Sequence, residues 1–447
     1  MIRLRDRLIK GTTLNLVAVV FNQGSTLIAN IIVARILMKQ GFGEYAMVQT
    51  TLLTMAVLSQ FATGYTALKY IAEYRSSEPE RAGRIMGLCA IVSTVMAGVG
   101  AFLLIVMAPW LAATMLKAPH LKFALMIGSG FLFFSAINGY QMGALSGLEA
   151  YGSLAKAGIV SGIMAVAAIS LGAWWGGLNG TLTGLSITAF VRCTIHNRWL
   201  RLESLAQGIK PRYRGSLSQE KAIILKFVLP SAIAQFYSPP LIWLANSFLV
   251  RQPGGYGEMA LFSAANNLRI LVLFLPTVMN SVGLSVLNYE KAKGDVAHYH
   301  RVFISNIVYI FLVSLGGALV VGIFGRTILQ LFGKDFGAGK SILWFLLAAS
   351  FFEALTMALY QYVLTKSKIW LQFLGIVVPK EALLIVTAYY LVPSYGGAGL
   401  AAAYLGSALL GLILHFVLVF MLYKKELKLP GSNAVRNNFV LESSRNV

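Results

Sequence analysis

The chain has 447 residues, of which 57% are hydrophobic and only 12% charged, and its mean hydropathy is +0.72; a soluble domain would carry about 25% charged residues. That composition excludes a water-soluble enzyme or binding module and leaves a polytopic membrane protein. The net charge of +21 would suggest nucleic acid in a soluble chain, but in a membrane protein it is first explained by basic connections that orient the spans, so no nucleic-acid partner is inferred.

Apolar runs of about 20 residues suit bilayer-crossing helices rather than the short alternating strands of a barrel. The start, MIRLRDRLIKGTTLN, is basic like the head of a signal peptide. Asn15, Asn22 and Gln23 then interrupt the apolar run, and no small-residue cleavage site stands out, so the first helix is expected to stay attached. The fold class expected is an all-α membrane protein with about twelve transmembrane helices in two pseudo-symmetric six-helix lobes. The first lobe, 1–198, carries helices at 12–37, 42–68, 84–108, 121–146, 153–175 and 178–198. A basic linker follows at 199–222. The second lobe, 223–423, carries helices at 223–249, 256–288, 301–325, 341–365, 370–392 and 398–423, before a tail at 424–447.

The two lobes are related. Ala29, Asn30 and Arg35 answer to Ala245, Asn246 and Arg251, each arginine five residues past its asparagine. Gly41, Gly43 and Glu44 then answer to Gly255, Gly257 and Glu258 once the second connection is shortened by two residues, and insertions concentrate in connections. GGLNG at 176–180 is echoed by GGAG at 396–399. Chance similarity among apolar helices is the competing explanation, but here the rarer polar and glycine positions coincide.

Charge asymmetry orients the chain. With the N-terminus in the cytoplasm, 25 of the 37 Lys and Arg fall in cytoplasmic connections and tails and eight on the opposite face, a strong positive-inside bias. Both termini are then cytoplasmic, and the halves repeat in parallel about an axis along the membrane normal. No connection is long enough to hold a soluble domain, so function must lie among the helices.

Ionisable groups inside hydrocarbon cost at least about 2.5–3.5 kcal/mol and mark cavities or partners. Arg269 is the deepest in its segment and shares a helix face with Asn266, three residues before it; together they could present a cation to an anionic substrate, or Arg269 could be a packing residue paired with an acid. Lys380 and Glu381 follow Pro379 mid-helix. Consecutive residues point about 100° apart, so the two are expected not to pair with each other, and Pro379 is expected to kink the segment. Glu353 could neutralise Arg269 or Lys380, or take up a proton that couples transport; Glu381 is the second candidate for ion coupling. Arg35 and Arg251 are expected at the outer ends of helices one and seven, as interfacial anchors or as a pair guarding the outward mouth. Lys69, Arg75, Arg192 and Lys226 are expected to meet lipid headgroups. Asn30, Asn246, Gln23, Gln60, Asn138 and Gln141 could bind sugars, though such residues more often join helix to helix.

Cys89 and Cys193 lie in apolar segments without metal-site spacing, and the five histidines form no metal or catalytic motif. No catalytic residues, metal site or cofactor are expected, and without a nucleotide-binding motif neither is direct ATP hydrolysis.

The stretch from Ala34, Arg35 and Leu37 through Phe42, Gly43 and Tyr45 to Tyr70, Ala72, Glu73 and Tyr74 resembles the opening of the Wzx-like polysaccharide and O-antigen flippases. These form a branch of the multidrug/oligosaccharidyl-lipid/polysaccharide exporter superfamily. The sharp motif spans about 45 residues, while the twelve-helix layout resembles that family over most of the chain. The resemblance implies the superfamily's V-shaped two-lobe fold and an ion-gradient-coupled flippase in a bacterial inner membrane. Its substrate would be an undecaprenyl-diphosphate-linked oligosaccharide, moved to the outer leaflet by alternating access, with membrane lipids and the pathway's polymerase and chain-length proteins as partners. Arg269, Lys380, Asn266, Arg35 and Arg251 are then the substrate-binding candidates, chosen by their chemistry rather than by motif. The alternatives are a multidrug or cation exporter of the same superfamily, for which the first lobe lacks deep acids, and a membrane-embedded glycan polymerase or ligase, for which no large outer loop is present. Flippases of peptidoglycan precursors usually have two further helices, which are not found here.

Overall fold

The computed structural model describes residues 2–213, 220, 223, 228, 229, 232, 235–293, 296–366 and 368–427. Among them every regular element is helical: α1 (Ile2–Gln60), α2 (Thr63–Tyr74), α3 (Pro79–Trp110), α4 (Lys122–Gly147), α5 (Tyr151–Ala206), α6 (Ser238–Val250), α7 (Gly255–Lys293), α8 (Val296–Ile323), α9 (Gly325–Gln330), α10 (Lys340–Thr365) and α11 (Val378–Leu427), with a short α turn at Ile369–Gln372 and short π and 3-10 turns between some of them. Among the described residues, eight helical stretches are long and apolar enough to cross a membrane. Three of these are double: α1 breaks at Met38, α5 at Gly176–Gly177 and α11 at Gly396. The layout is consistent with the twelve crossings expected. Much of the start of the seventh, including Lys226, and the tail beyond Leu427 lie outside the described residues.

The breaks bear on the repeat. Three residues past Arg35, Met38 has φ 61; three past Arg251, Gly254 has φ 70. The two-residue difference between the copies therefore follows this left-handed residue. Likewise Gly177 (φ 55, ψ −134) and Gly396 (φ 55, ψ −132) adopt one conformation that only glycine takes freely. In each, the glycine three residues on lies against the preceding arm, with an ideal Cβ 2.0 Å from Gly172 O for Gly180 and 2.4 Å from Leu391 O for Gly399. The register of the echo is thus GLNG at 177–180 on GGAG at 396–399.

Met38 carries a side chain at φ 61, ψ 179, a region essentially reserved for glycine and costing about 1–3 kcal/mol. Met38→Gly is expected to raise the melting temperature of the purified protein. The relieved strain exceeds the roughly 0.5–1 kcal/mol that glycine's extra unfolded-state entropy removes.

The chain divides into two compact units, Met1–Ala260 with Leu331–Asp335, and Leu261–Gln330 with Phe336–Val447. The first unit extends past the six-helix lobe expected at 1–198 because α6 and the start of α7 are bonded into it. Trp243 Nε1 donates to Thr51 Oγ1 at 2.8 Å, and Tyr256 OH to Leu116 O at 2.9 Å. Its core is centred on Ile71, Ile85, Met86, Leu145 and neighbours of α2, α3 and α4. The helix expected at 42–68 is interrupted at Phe61 and Ala62 (φ 48 and 55) and resumes as α2.

Part of the expected linker is docked. Arg212 N–H donates to Gly83 O at 3.0 Å, and the buried Glu220 carboxylate sits 3.4 Å from Arg81 Nε and 3.3 Å from Arg84 Nε. Removing one member of a buried ion pair leaves the other unpaired, and here both arginines reach partly into solvent. Glu220→Gln is therefore expected to cost about 2 kcal/mol, read as a lower melting temperature, rather than the full penalty of a dry pair.

Candidate substrate site

The second unit holds two ion pairs within its apolar helices. On α7, Arg269 Nη1 donates to Asn266 Oδ1 at 2.9 Å, the i, i+3 geometry expected from sequence. Its Nη2 donates to the Glu353 carboxylate from α10. The guanidinium also faces the Tyr404 ring, 5.7 Å from its centroid, an orientation the ring quadrupole favours. Arg269 Nε is buried and has no hydrogen-bond partner among the described residues. The sequence offered Glu353 to either cation; in the structure it lies on Arg269. Tyr404 was not singled out, since one tyrosine in a run of small and apolar residues carries no periodic or charge signal. The result is a guanidinium paired with a carboxylate, its Nε–H without a partner among the described residues, held between an acid, an amide and an aromatic face.

Lys380 and Glu381 form a second pair, and the expectation that they cannot meet is overturned. Lys380 Nζ lies 3.4 Å from Glu381 Oε1. The 100° step separates the Cβ atoms, but the long lysine stem bridges it. That stem runs along the other arm of α11, where an ideal Cβ on Gly411 would stand 3.1 Å from Lys380 Cδ and Ser407 Oγ donates to the Lys380 carbonyl at 3.1 Å. Glu381 is buried and Lys380 about one-third exposed. The helical irregularity expected at Pro379 is a π turn, Phe373–Val377, immediately ahead of it. Proline lacks an N–H and crowds the carbonyl four residues back, and the wider turn relieves that crowding.

Arg35 and Arg251 lie in the first unit and do the same thing twice. Arg35 Nε donates to Leu331 O at 2.7 Å, and Arg251 Nε to Met115 O at 2.8 Å. Leu331 follows α9 and Met115 closes the turn after α3, so each repeat-matched arginine fastens the connection between the third and fourth helices of the opposite repeat. Asn266, Arg269 and Glu353 are brought together, Lys380 and Glu381 form their own pair, and Arg35 and Arg251 each bond backbone.

These features define a polytopic helical membrane protein made of two related halves with ion pairs inside its spans. The sequence profile described as polysaccharide biosynthesis protein matches residues 8–283, and the chain belongs to that family. The EPS I polysaccharide export inner membrane protein EpsE of Ralstonia solanacearum is 23% identical over 412 residues, covering 90% of this chain and 92% of that protein. Its counterpart from Ralstonia nicotianae is 22% identical over 410 residues, with the same coverage. Among solved structures, the inward-facing conformation of a MATE-family multidrug resistance transporter of the MOP superfamily superposes with a TM-score of 0.73. It is 16% identical, covering 93% of this chain and 100% of that one. A MOP-superfamily transporter from Pyrococcus furiosus gives 0.66 at 15% identity, covering 93% and 96%. The fold is that of the MOP-superfamily transporters, and the family resemblance and all-helical class expected from sequence are borne out.

Proposed function

We propose that the protein moves an undecaprenyl-diphosphate-linked oligosaccharide from the cytoplasmic to the periplasmic leaflet of a bacterial inner membrane by alternating access, without catalysing a covalent step. The observation that carries this is the Arg269 clamp. A diphosphate needs a cation along its route, and a guanidinium binds phosphate through paired, charge-assisted hydrogen bonds. Glu353 holds that guanidinium until it takes up a proton, and a protonated Glu353 yields Arg269 to the headgroup. Protonation of Glu353 and headgroup binding to Arg269 are thereby coupled at one side chain, which makes the cycle responsive to the proton gradient. Asn266 orients the guanidinium, and Lys380 supplies a second cation with Glu381 as its counter-ion. Arg35 and Arg251 line the outward end of the route. The relatives' names, which specify polysaccharide export and the inner membrane, support the substrate class and location. The basic connections support cytoplasmic termini, and the internal repeat supports two six-helix lobes, 1–198 and 223–423, joined by the linker. The polymerase and chain-length proteins of the same pathway are the expected partners.

The test is flipping of a fluorescent polyprenyl-diphosphate saccharide in proteoliposomes. Flipping accelerated by an imposed proton gradient is expected. Transport of cationic dyes with no flipping of that lipid would overturn the proposal in favour of a multidrug exporter.

A further inference from the structure

A second polar interior lies within the first unit, apart from the Arg269 and Lys380 ion pairs. Side chains of α1, α4 and α5 enclose a cavity of about 210 Å³ whose polar wall includes Asn30, Tyr45, Gln49, Ser135, Asn138 and Arg192. Among the described residues no carboxylate lines it. Arg192, half-buried on the second arm of α5, has its Nε buried without a hydrogen-bond partner. The neighbouring polar groups are largely committed: Asn138 Nδ2 lies within bonding distance of Gln141 Oε1 and His196 Nδ1, at 3.3 and 2.6 Å. Tyr45 OH accepts from Gln49 Nε2 at 3.1 Å, which leaves its own proton to donate. The cavity therefore offers one cation and a phenolic donor, and a guanidinium held inside an apolar span without a counter-charge is costly. With a water occupying about 30 Å³ of liquid, there is room for an ion and part of its hydration shell but not for an oligosaccharide.

We propose that this cavity binds a small inorganic anion, of chloride to phosphate size, with Arg192 as its charge and Tyr45 as its neutral donor. The site is independent of the transport cycle, and its test reads binding alone. Full-length protein in neutral detergent would be melted in sodium chloride or inorganic phosphate against gluconate at constant ionic strength, with a parallel arm containing a short-chain polyprenyl diphosphate. A saturable rise in melting temperature with chloride or phosphate is expected. Its midpoint should weaken at least tenfold in Arg192→Gln and several-fold in Tyr45→Phe. No saturable rise in the wild type, or an unchanged midpoint in Arg192→Gln, would overturn the proposal. So would stabilisation by the polyprenyl diphosphate alone that Arg192→Gln abolishes, which would give the site to a lipid headgroup. Should Arg192→Gln fail to fold, crystals of the wild type grown in bromide decide: an anomalous peak beside Arg192 supports the site, and its absence rejects it.

Discussion

Arg269→Ala is expected to lower flipping of the lipid-linked saccharide at least a hundredfold while the protein still reaches the membrane. Two charge-assisted hydrogen bonds to phosphate are worth about 1.5–3 kcal/mol each, and about 1.4 kcal/mol is tenfold in affinity. The single variant is ambiguous, because it strands the Glu353 carboxylate, and an unpaired buried charge costs about 3–5 kcal/mol. Arg269→Ala combined with Glu353→Gln removes both charges and restores neutrality. The double variant is expected to melt close to the wild type yet remain inactive, whereas recovered flipping would reduce Arg269 to a packing residue. Glu353→Gln alone keeps the guanidinium free for the headgroup. It should bind the lipid at least as tightly as the wild type, but flip it at a rate that no longer responds to the proton gradient.

How far the sequence foretold this site follows from which interactions are local. Asn266 and Arg269 are three apart on one helix, and their hydrogen bond could be read from spacing. The partnership of Arg269 with Glu353 joins positions 84 apart, and nothing in composition or period chooses between Arg269 and Lys380 as the acid's partner. The Lys380–Glu381 pair was misjudged because the helical step describes Cβ directions, not the reach of a four-carbon stem. Tyr404 and the Arg192 cavity were invisible for a related reason: each depends on helices converging from distant parts of the chain. The fold was easier, since apolar runs, glycine turns and the Asn–Arg–Gly spacing are carried by the chain itself. Even the repeat-matched arginines, correctly aligned in sequence, gave no hint that each would fasten a loop of the opposite repeat, because the acceptors at Met115 and Leu331 are backbone carbonyls that any residue supplies.

The repeat also provides its own control for the second large effect. Gly43 and Gly257 are matched positions in the two copies, yet their surroundings differ. An ideal Cβ on Gly43 would stand 1.8 Å from Tyr256 O, 2.7 Å from Tyr256 C and 3.2 Å from Ala260 N, all of them backbone atoms. That backbone is fixed by the Tyr256 hydroxyl on Leu116 O, while Phe42, beside Gly43, packs on Phe332 with centroids 6.0 Å apart. Neither side can swing a flexible side chain away, so Gly43→Ala must force α1 and the first turn of α7 apart. Overpacking typically costs 1–3 kcal/mol, and against fixed backbone at such a distance a loss of about 3 kcal/mol or more is expected. A Cβ on Gly257 meets only the end of the Lys39 side chain, at 3.5–4.0 Å. Gly257→Ala is therefore expected to be neutral or stabilising by about 0.5–1 kcal/mol, the usual gain from replacing glycine inside a helix. Melting curves of the two variants in detergent, with flipping measured alongside, separate the cases: a large drop in stability and activity for Gly43→Ala beside an intact Gly257→Ala is the expected result. Equal behaviour would mean that the first unit does not depend on this close approach, and that the glycine was kept for the turn alone.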